Sequence, residues 1–210
     1  MTSTTRPLRP SLEQRRRDLS RHFIAALEPV LATRRYAELS IEDLTLIGGI
    51  ARSTFYAYFT DKTELLCTMA DEVLEQIFAE GHTWWDLPNT AGIPELRAAL
   101  LPPIHARVTH GPILGAITDG AGTDDRLRDR QTRLINELAD SLTAHIRRAQ
   151  RASAASPDID PERTAKWLLW TFDRALYELI DPDDTDETGR LVDAVTMIIW
   201  RTLYAGYRPG

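Results

Sequence analysis

The stretch ARSTFYAYFTDK, residues 51–62, carries the side chains of this sequence that are best suited to bind a charged partner. An arginine, two hydroxyl side chains and four aromatic rings fall within nine positions, and a lysine follows three residues later. Arginine, lysine and hydroxyl side chains all donate hydrogen bonds to phosphate, and arginine also binds base edges. This combination indicates recognition of nucleic acid. The alternative is a tyrosine-rich core helix of a plain helical bundle.

Helical spacing divides the side chains of this stretch between a buried and an exposed face. Phe55 and Phe59 are four positions apart, so we expect them to share one face and pack inward. Arg52 and Ser53 lie in the first turn on other faces, where residues of a recognition helix reach base edges. The expected apolar partners of the two phenylalanines are Leu44, Ile47 and Ile50.

Two short helical segments joined by a glycine pair frame the stretch. In SIEDLTLIGG, Ser40 and Asp43 resemble a capping box, and Gly48-Gly49 end the helix after about two turns. The second short helix follows at once, and a long helix begins after Asp61, a good N-cap residue. Two short helices with a tight, glycine-containing turn predict a helix-turn-helix unit.

Residues 39–66, LSIEDLTLIGGIARSTFYAYFTDKTELL, resemble the helix-turn-helix region of the TetR-type bacterial transcriptional regulators. The shared pattern is a short helix, a glycine, an apolar residue, a turn, the motif T-F-Y-x-Y-F and a lysine before a long helix. The resemblance implies a DNA-binding function, with double-stranded operator DNA as the partner. It marks as DNA contacts Ser40, Arg52, Ser53, Thr54, Tyr56, Tyr58 and Lys62.

Three positions depart from the family's pattern. Ala51 stands where members usually carry Ser or Thr as the N-cap of the second helix, a loss of about 0.5–2 kcal/mol. Gly48 and Thr45 each replace an alanine, which predicts a weak first helix. These departures bear on operator affinity more than on the fold.

Almost every long segment of the chain repeats its apolar residues at the helical spacing, which predicts an all-α protein of about nine helices. Asp160 and Pro161 mark a clean helix start, and Pro102-Pro103 predict a kink or a division of their helix. The segments DRALYELI and LVDAVTMIIWRTLYAG are similar to the last two helices of the subgroup that represses an actinobacterial ethionamide monooxygenase.

Three parts of the chain are expected to differ in role. They are a flexible basic tail at 1–10, a helix-turn-helix DNA-binding domain at 11–60, and a ligand-binding and dimerisation domain at 61–210. Residues 1–36 hold eight arginines against three acidic residues, although the net charge of the whole chain is −6. A basic end on an acidic protein is compatible with that end meeting phosphate.

The last two predicted helices are apolar around more of their circumference than one packed face requires. Such helices need cover on two sides. The family resemblance implies a symmetric homodimer with a four-helix interface, and the alternative is that both helices are central in a monomer. The expected interface residues are Leu168, Leu176, Leu179, Val195, Trp200 and Leu203.

Five tryptophans, together with Pro102-Pro103 and Gly111, suggest a cavity lined by rings. For any single tryptophan, ordinary core packing is the alternative. Few polar groups look buried, so the expected ligand is neutral and either apolar or aromatic. The expected pocket residues are Trp85, Ile104, Ile117, Trp167, Trp170, Phe172 and Ile199.

Other functions find little support in the sequence. Cys67 is the single cysteine, no apolar run approaches the ~20 residues that span a bilayer, and a signal-peptide pattern is missing, so we expect a cytoplasmic protein without membrane contact. Nucleotide-binding and hydrolase motifs are missing, and the five histidines are scattered, so we expect neither cofactor, metal nor catalysis. The acidic DPDDTDE, residues 181–187, is interpreted as a solvated loop.

These features predict a ligand-responsive transcriptional regulator that a small apolar or aromatic ligand releases from a near-palindromic operator. Repression is the family's usual outcome. Two other classes remain open: a small-molecule-binding helical protein whose DNA-binding end is weakened, with Ala51 as the reason, and a helical enzyme.

Overall fold

The computed structural model describes residues 11–79, 84–179 and 186–204, and these contain α-helices, two single 3-10 turns and no strand. The predicted tail at 1–10 and most of the acidic loop lie outside the described residues. The helices are α1 Leu12–Leu31, α2 Ile41–Ile47, α3 Arg52–Tyr58, α4 Lys62–Ala79, α5 Ile93–Thr109, α6 Gly111–Gly120, α7 Asp125–Arg151, α8 Pro161–Glu178 and α9 Glu187–Tyr204. The predicted all-α fold is confirmed.

Local sequence signals set the bounds of the two short helices. Ser40 caps α2, and its hydroxyl accepts from the Asp43 N–H while the Asp43 carboxylate accepts from the Ser40 N–H, as in a capping box. Gly49 follows α2 with φ +61°, a conformation that costs glycine nothing and other residues about 1–2 kcal/mol. The chain therefore turns sharply between α2 and α3.

Three phenylalanine rings form the centre of the head, which we define as α1, α2 and α3. The ring centroid of Phe23 on α1 lies 6.4 Å from that of Phe55 and 6.3 Å from that of Phe59, edge to face in both pairs. All three rings are fully buried or nearly so. Gly48 lies against this cluster, because an added Cβ would come within 2.5 Å of the Phe23 ring. The glycine that departs from the family's alanine therefore makes room for Phe23.

The core of the head continues into the rest of the chain without a break. Leu65, Met69 and Ala70 of α4 and Leu114 and Ile117 of α6 belong to the same buried cluster as Phe23. A second cluster lies between α5, α7, α8 and α9, where α7 packs on α8 and α5 packs on α9. The predicted domain boundary between residues 60 and 61 lies just before α4, and the buried cluster continues across it.

The prolines of α5 do not divide it. Pro102 and Pro103 lie inside a continuous helix from Ile93 to Thr109, contrary to a division at this point. Proline lacks an N–H and clashes with the preceding turn, so it weakens a helix from within. Here tertiary packing against α9 and α6 holds the helix on both sides of the pair.

We expect Ala51→Ser to raise the free energy of unfolding by about 1 kcal/mol. Ala51 is the N-cap of α3 and accepts no side-chain hydrogen bond, yet its φ of −72° and ψ of 149° suit a capping serine. Chemical denaturation would measure the gain. Ala57→Ser, at an exposed position inside α3, is the matched control and should give no gain. Equal effects of the two variants would contradict a specific capping defect.

Candidate nucleic-acid interface and internal cavity

The exposed side of α3 presents the side chains that the sequence marks as base contacts. Arg52, Ser53 and Tyr56 are exposed, while Thr54 is half-buried. Arg52 pairs with Glu42 of α2, and its guanidinium carbon lies 5.5 Å from the centre of the Tyr56 ring. The arginine is thus held over α3, and DNA has to compete with Glu42 for it.

Ser40 is exposed at the start of α2, and its hydroxyl is engaged with Asp43. Hydrogen bonds from the Ser40 backbone N–H and hydroxyl lower the pKa of Asp43. The Ser40 hydroxyl could therefore bind a phosphate only after its hydrogen bond to the ionised Asp43 carboxylate breaks. The position is suitable for a backbone contact through the helix start.

Lys62 has a structural task that the sequence did not predict. Its ammonium donates to the carbonyls of Ala37 and Leu39 at 2.7 and 2.9 Å, and the buried Tyr36 donates its hydroxyl to the Lys62 carbonyl at 2.6 Å. Two of the three ammonium hydrogens are therefore committed within the protein. Lys62 therefore helps to fix the turn before α2, and its predicted contact with DNA stays a prediction. Tyr58, also expected at phosphate, is half-buried against the head core.

Three of the four arginines of α1 pair with carboxylates of α4, and the fourth, Arg15, is exposed. Arg16 pairs with Glu64 at 2.7 Å, Arg17 with Glu75 at 2.8 Å, and Arg21 with the buried Glu72 at 2.7 Å. All three join α1 to α4. The sequence located these positive charges correctly. In the folded chain, however, the three side chains point to carboxylates of α4.

The start of α4 is tied to the start of α7 by two polar contacts. Arg126 donates to Asp61 at 2.8 Å, and the Thr63 hydroxyl donates to Asp124 at 2.9 Å. Burial opposes ionisation of Asp61 and Asp124, but these hydrogen bonds and those from backbone N–H groups outweigh it, so the pKa of each carboxyl is lowered. The junction thus links the helix after α3 to the wall of the cavity described below.

Acid is expected to weaken this junction. Because folding lowers both pKa values, the ionised carboxylates stabilise the folded state above their unfolded-state pKa of about 3.9, and this is lost as the pH falls through the folded-state values. The free energy of unfolding should fall from pH 5 to pH 2, and by about 0.5–1 kcal/mol less in the Asp61→Asn, Asp124→Asn double variant. Denaturant titrations at each pH measure this. Parallel profiles of the two proteins would contradict the assignment.

A cavity of about 390 Å³, partly open to solvent, lies between α4, α5, α6, α7 and α8. Trp85, Ile104, Ile117 and Phe172, four of the residues expected to line a pocket, are in its wall. Most of the other wall residues are apolar: Ala70, Leu74, Trp84, Ala98, Ala99, Leu100, Pro102, Pro103, Leu114, Leu134, Leu138, Leu169, Leu176 and Val195. Its size and lining are those of a small-molecule site.

Three residues expected in the pocket lie elsewhere. Trp167 is 75% exposed and Trp170 is 41% exposed, because α8 turns Leu169, Phe172 and Leu176 toward the cavity. At 100° per residue, Trp170 points about 200° away from Phe172. Ile199 is fully buried in the second core cluster and does not reach the cavity.

Five polar residues in the cavity wall were missed from the sequence: Arg107 of α5, Thr118 of α6, Arg130 and Gln131 of α7, and Asp173 of α8. Arg107 and Asp173 each interrupt an apolar helical face, in HARVT and WTFDRAL. That interruption was the available signal. The presence of these polar residues in the wall contradicts the expectation that few polar groups are buried.

The expected dimer residues also divide once the structure is considered. Leu168, Val195 and Leu203 are buried within the chain's own core, and Leu176 and Val195 face the cavity, so a partner subunit cannot cover them. Trp200 is half-buried beside Tyr204. Leu179 remains exposed, as do Trp167 and Trp170 on α8 and Ile198 on α9. Of the six expected interface residues, Leu179 therefore lies on the outer surface, while Leu168, Leu176, Val195 and Leu203 lie on inner faces of α8 and α9.

Two further observations concern single features. In the described ranges, no helix is long and apolar enough to cross a membrane. Cys67 is half-buried on α4, and burial raises the pKa of its thiol, as for a packed rather than a reactive cysteine.

Comparison with known proteins shows a sequence similarity over part of the chain. No protein-family model matches the chain. The HTH-type transcriptional regulator EthR of Mycolicibacterium smegmatis is 34% identical over 71 residues, 34% of this chain and 31% of EthR, and EthR of Mycobacterium tuberculosis is 41% identical over 54 residues, 26% of this chain and 25% of EthR. The chain thus matches less than a third of the length of these curated relatives.

Structural similarity covers far more of the chain. The TetR family transcriptional regulator PfmR from Thermus thermophilus superposes with a TM-score of 0.69 at 16% identity, over 86% of this chain and 97% of PfmR. At that identity the likeness establishes the fold alone, while the EthR matches supply the similarity in sequence. The chain is thus similar to EthR in sequence over about a third of its own length, and it shares the fold of solved TetR-family regulators over most of its length.

Proposed function

We propose that the protein is a ligand-responsive transcriptional regulator that binds operator DNA as a homodimer, most simply as a repressor. The observation that carries this proposal is the surface of α3, which presents Arg52, Ser53 and Tyr56 from a helix held by the buried Phe55. A helix of this kind suits the major groove, and its first-turn residues suit base edges. A DNA-binding role implies action in the cytoplasm.

Coupling between cavity and head is supported by shared residues. Ala70 of α4 and Leu114 and Ile117 of α6 lie both in the cavity wall and in the core cluster of the head. A ligand that changes the packing of these side chains therefore acts on helices that share a core with the head. To release DNA, the ligand must bind one conformation of the dimer more tightly than another. The favoured conformation is the one in which the distance between the two heads does not fit DNA.

Dimerisation is supported by the apolar outer surface of α8 and α9. Trp167, Trp170, Leu179 and Ile198 are exposed on these two helices, and exposed patches of large apolar side chains commonly mark protein interfaces. A two-fold dimer through this surface would present two copies of α3 to two half-sites. The half-sites should then lie one or more turns of DNA apart.

A second candidate function is a small-molecule-binding protein with a weakened head. The uncapped α3, the engaged Lys62 ammonium and the pairing of Arg16, Arg17 and Arg21 with α4 all favour it. Each removes charge or rigidity from the surface that would meet phosphate. This function keeps the cavity and predicts no specific operator.

Selection of genomic DNA fragments by the purified full-length protein, followed by sequencing, distinguishes the two candidates. The proposed function predicts enrichment of a near-palindrome whose half-sites are separated by about 10 base pairs or a multiple. Fragments that share no sequence after repeated selection would favour the second candidate.

A further inference from the structure

The guanidinium of Arg107 is buried in the cavity wall with little to bind. Arg107 is 8% exposed, and the structure gives it one partner among the described residues, an Asp173 carboxylate oxygen 3.6 Å from a terminal nitrogen. A guanidinium has five N–H donors, and a charged group removed from water is costly unless those donors are used. Burial accordingly lowers the pKa of Arg107, an effect that Asp173 only partly offsets.

Asp173, in contrast, is well supplied with partners. Its other oxygen accepts from the Gln131 side-chain amide at 3.0 Å, and the same amide lies 3.5 Å from the Thr118 hydroxyl. Helices α5, α6, α7 and α8 thus each contribute one side chain to a polar end of an otherwise apolar cavity. The unused hydrogen-bonding capacity at this end consists of N–H donors on Arg107.

The hydrogen-bond donors of the wall, rather than its net charge, favour a carboxylate ligand. Among the described residues, Arg107 and Arg130 are the cations in the wall and Asp173 is the one carboxylate. Arg130 pairs with Asp71, a residue outside the wall of this cavity. With Arg130 paired to Asp71 and Asp173 beside Arg107, the wall carries no excess charge, so the argument for the ligand rests on the unused N–H donors of Arg107. A carboxylate matches the planar fork of a guanidinium with two hydrogen bonds.

We propose that the cavity binds an amphipathic carboxylate, an acyl chain or aryl group that ends in one carboxylate held by the guanidinium of Arg107. This proposal rests on the proposed function insofar as the cavity is the ligand site. Trp85, Leu169 and Phe172 enclose the apolar part, and Gln131 keeps Asp173 satisfied while Arg107 turns its free N–H groups to the ligand. The class differs from the neutral ligand expected from the sequence.

The test compares decanoate with 1-decanol, and 4-phenylbutyrate with 4-phenyl-1-butanol, by calorimetry on the full chain at pH 7.5. At least one carboxylate should bind the wild-type protein tenfold or more tightly than its matched alcohol. Arg107→Met should abolish that preference and retain the alcohol. Arg97→Met, on the same helix but at an exposed ion pair with Asp193, is the matched control and should keep the preference.

Every outcome of this comparison bears on the proposal. Equal or tighter binding of both alcohols to the wild-type protein, or a preference that survives Arg107→Met, would overturn it, and so would failure of all four compounds to bind. If Arg107→Met does not fold, the Arg107→Met, Asp173→Asn double variant, which removes both charges, takes the place of the single variant in the binding comparison. None of these results depends on DNA, so failure of the regulator function is scored separately by the fragment selection.

Discussion

Replacing Phe23 by alanine is expected to lower the free energy of unfolding by about 3–5 kcal/mol and to abolish DNA binding. The Phe23 ring is fully buried and contacts both Phe55 and Phe59 edge to face. Its loss leaves a cavity at the point where α1, α3 and the Gly48 turn meet, because Gly48 has no side chain to fill the space. Urea denaturation monitored by circular dichroism measures the change.

Leu46→Ala is the control for that experiment. Leu46 lies on α2 and is 82% exposed, so its truncation should change the free energy of unfolding by less than about 0.5 kcal/mol. Similar losses in both variants would contradict the assignment of Phe23 as the centre of the head.

Replacing Arg52 by alanine is expected to weaken specific DNA binding by about 1–3 kcal/mol, a factor of roughly 5–150 in affinity. Arg52 stands in the first turn of α3 and is more than half exposed, and its contact with Tyr56 aligns it along the outer surface of the helix. Its loss removes base contacts and leaves the core untouched. Stability should therefore remain within about 0.5 kcal/mol of the wild type.

Titration of labelled DNA with Arg52→Ala and with Arg97→Ala separates a local role from a general charge effect. Arg97 lies on α5 and pairs with Asp193, in the part of the chain that carries no proposed DNA contact. Arg97→Ala should bind DNA like the wild type. Unchanged affinity in Arg52→Ala would remove Arg52 from the set of base contacts.

Local signals made the head predictable from the sequence. The capping box of Ser40 and Asp43 and the turn at Gly49 each depend on residues within a few positions of one another. Phe55 and Phe59 were assigned inward because four-residue spacing fixes one helical face, and both are buried. The start of α8 at Pro161 followed in the same way from Asp160, whose side chain accepts from the Arg163 N–H.

Contacts between distant segments were not predictable in the same way. The Lys62 ammonium binds carbonyls 23 and 25 positions earlier in the chain, and nothing in the local sequence shows that the turn lies within reach. Arg16 and Arg21 of α1 pair with carboxylates on α4 more than 45 positions away, which neutralises part of the basic surface that the number of arginines suggested. A charge count records where cations are in sequence and not which way they face.

The cavity shows how two faces of one helix can be confused. On α8, Trp170 and Phe172 are both aromatic and two positions apart, so composition favours them equally as pocket residues. The structure turns Phe172 to the cavity and Trp170 outward. Asp173 identifies the inner face in retrospect, because it shares a wall with Arg107 of α5.

The proposed function requires that α3 recognises a specific DNA sequence. Fluorescence anisotropy of the wild-type protein on labelled DNA from its own upstream region, across a salt series and beside a shuffled duplex, tests it most directly. We expect an affinity at least about 10³-fold tighter for the upstream DNA than for the shuffled duplex, and log K that falls linearly with log salt. Equal and weak binding to the upstream DNA, the shuffled duplex and the fragments from genomic selection would contradict it.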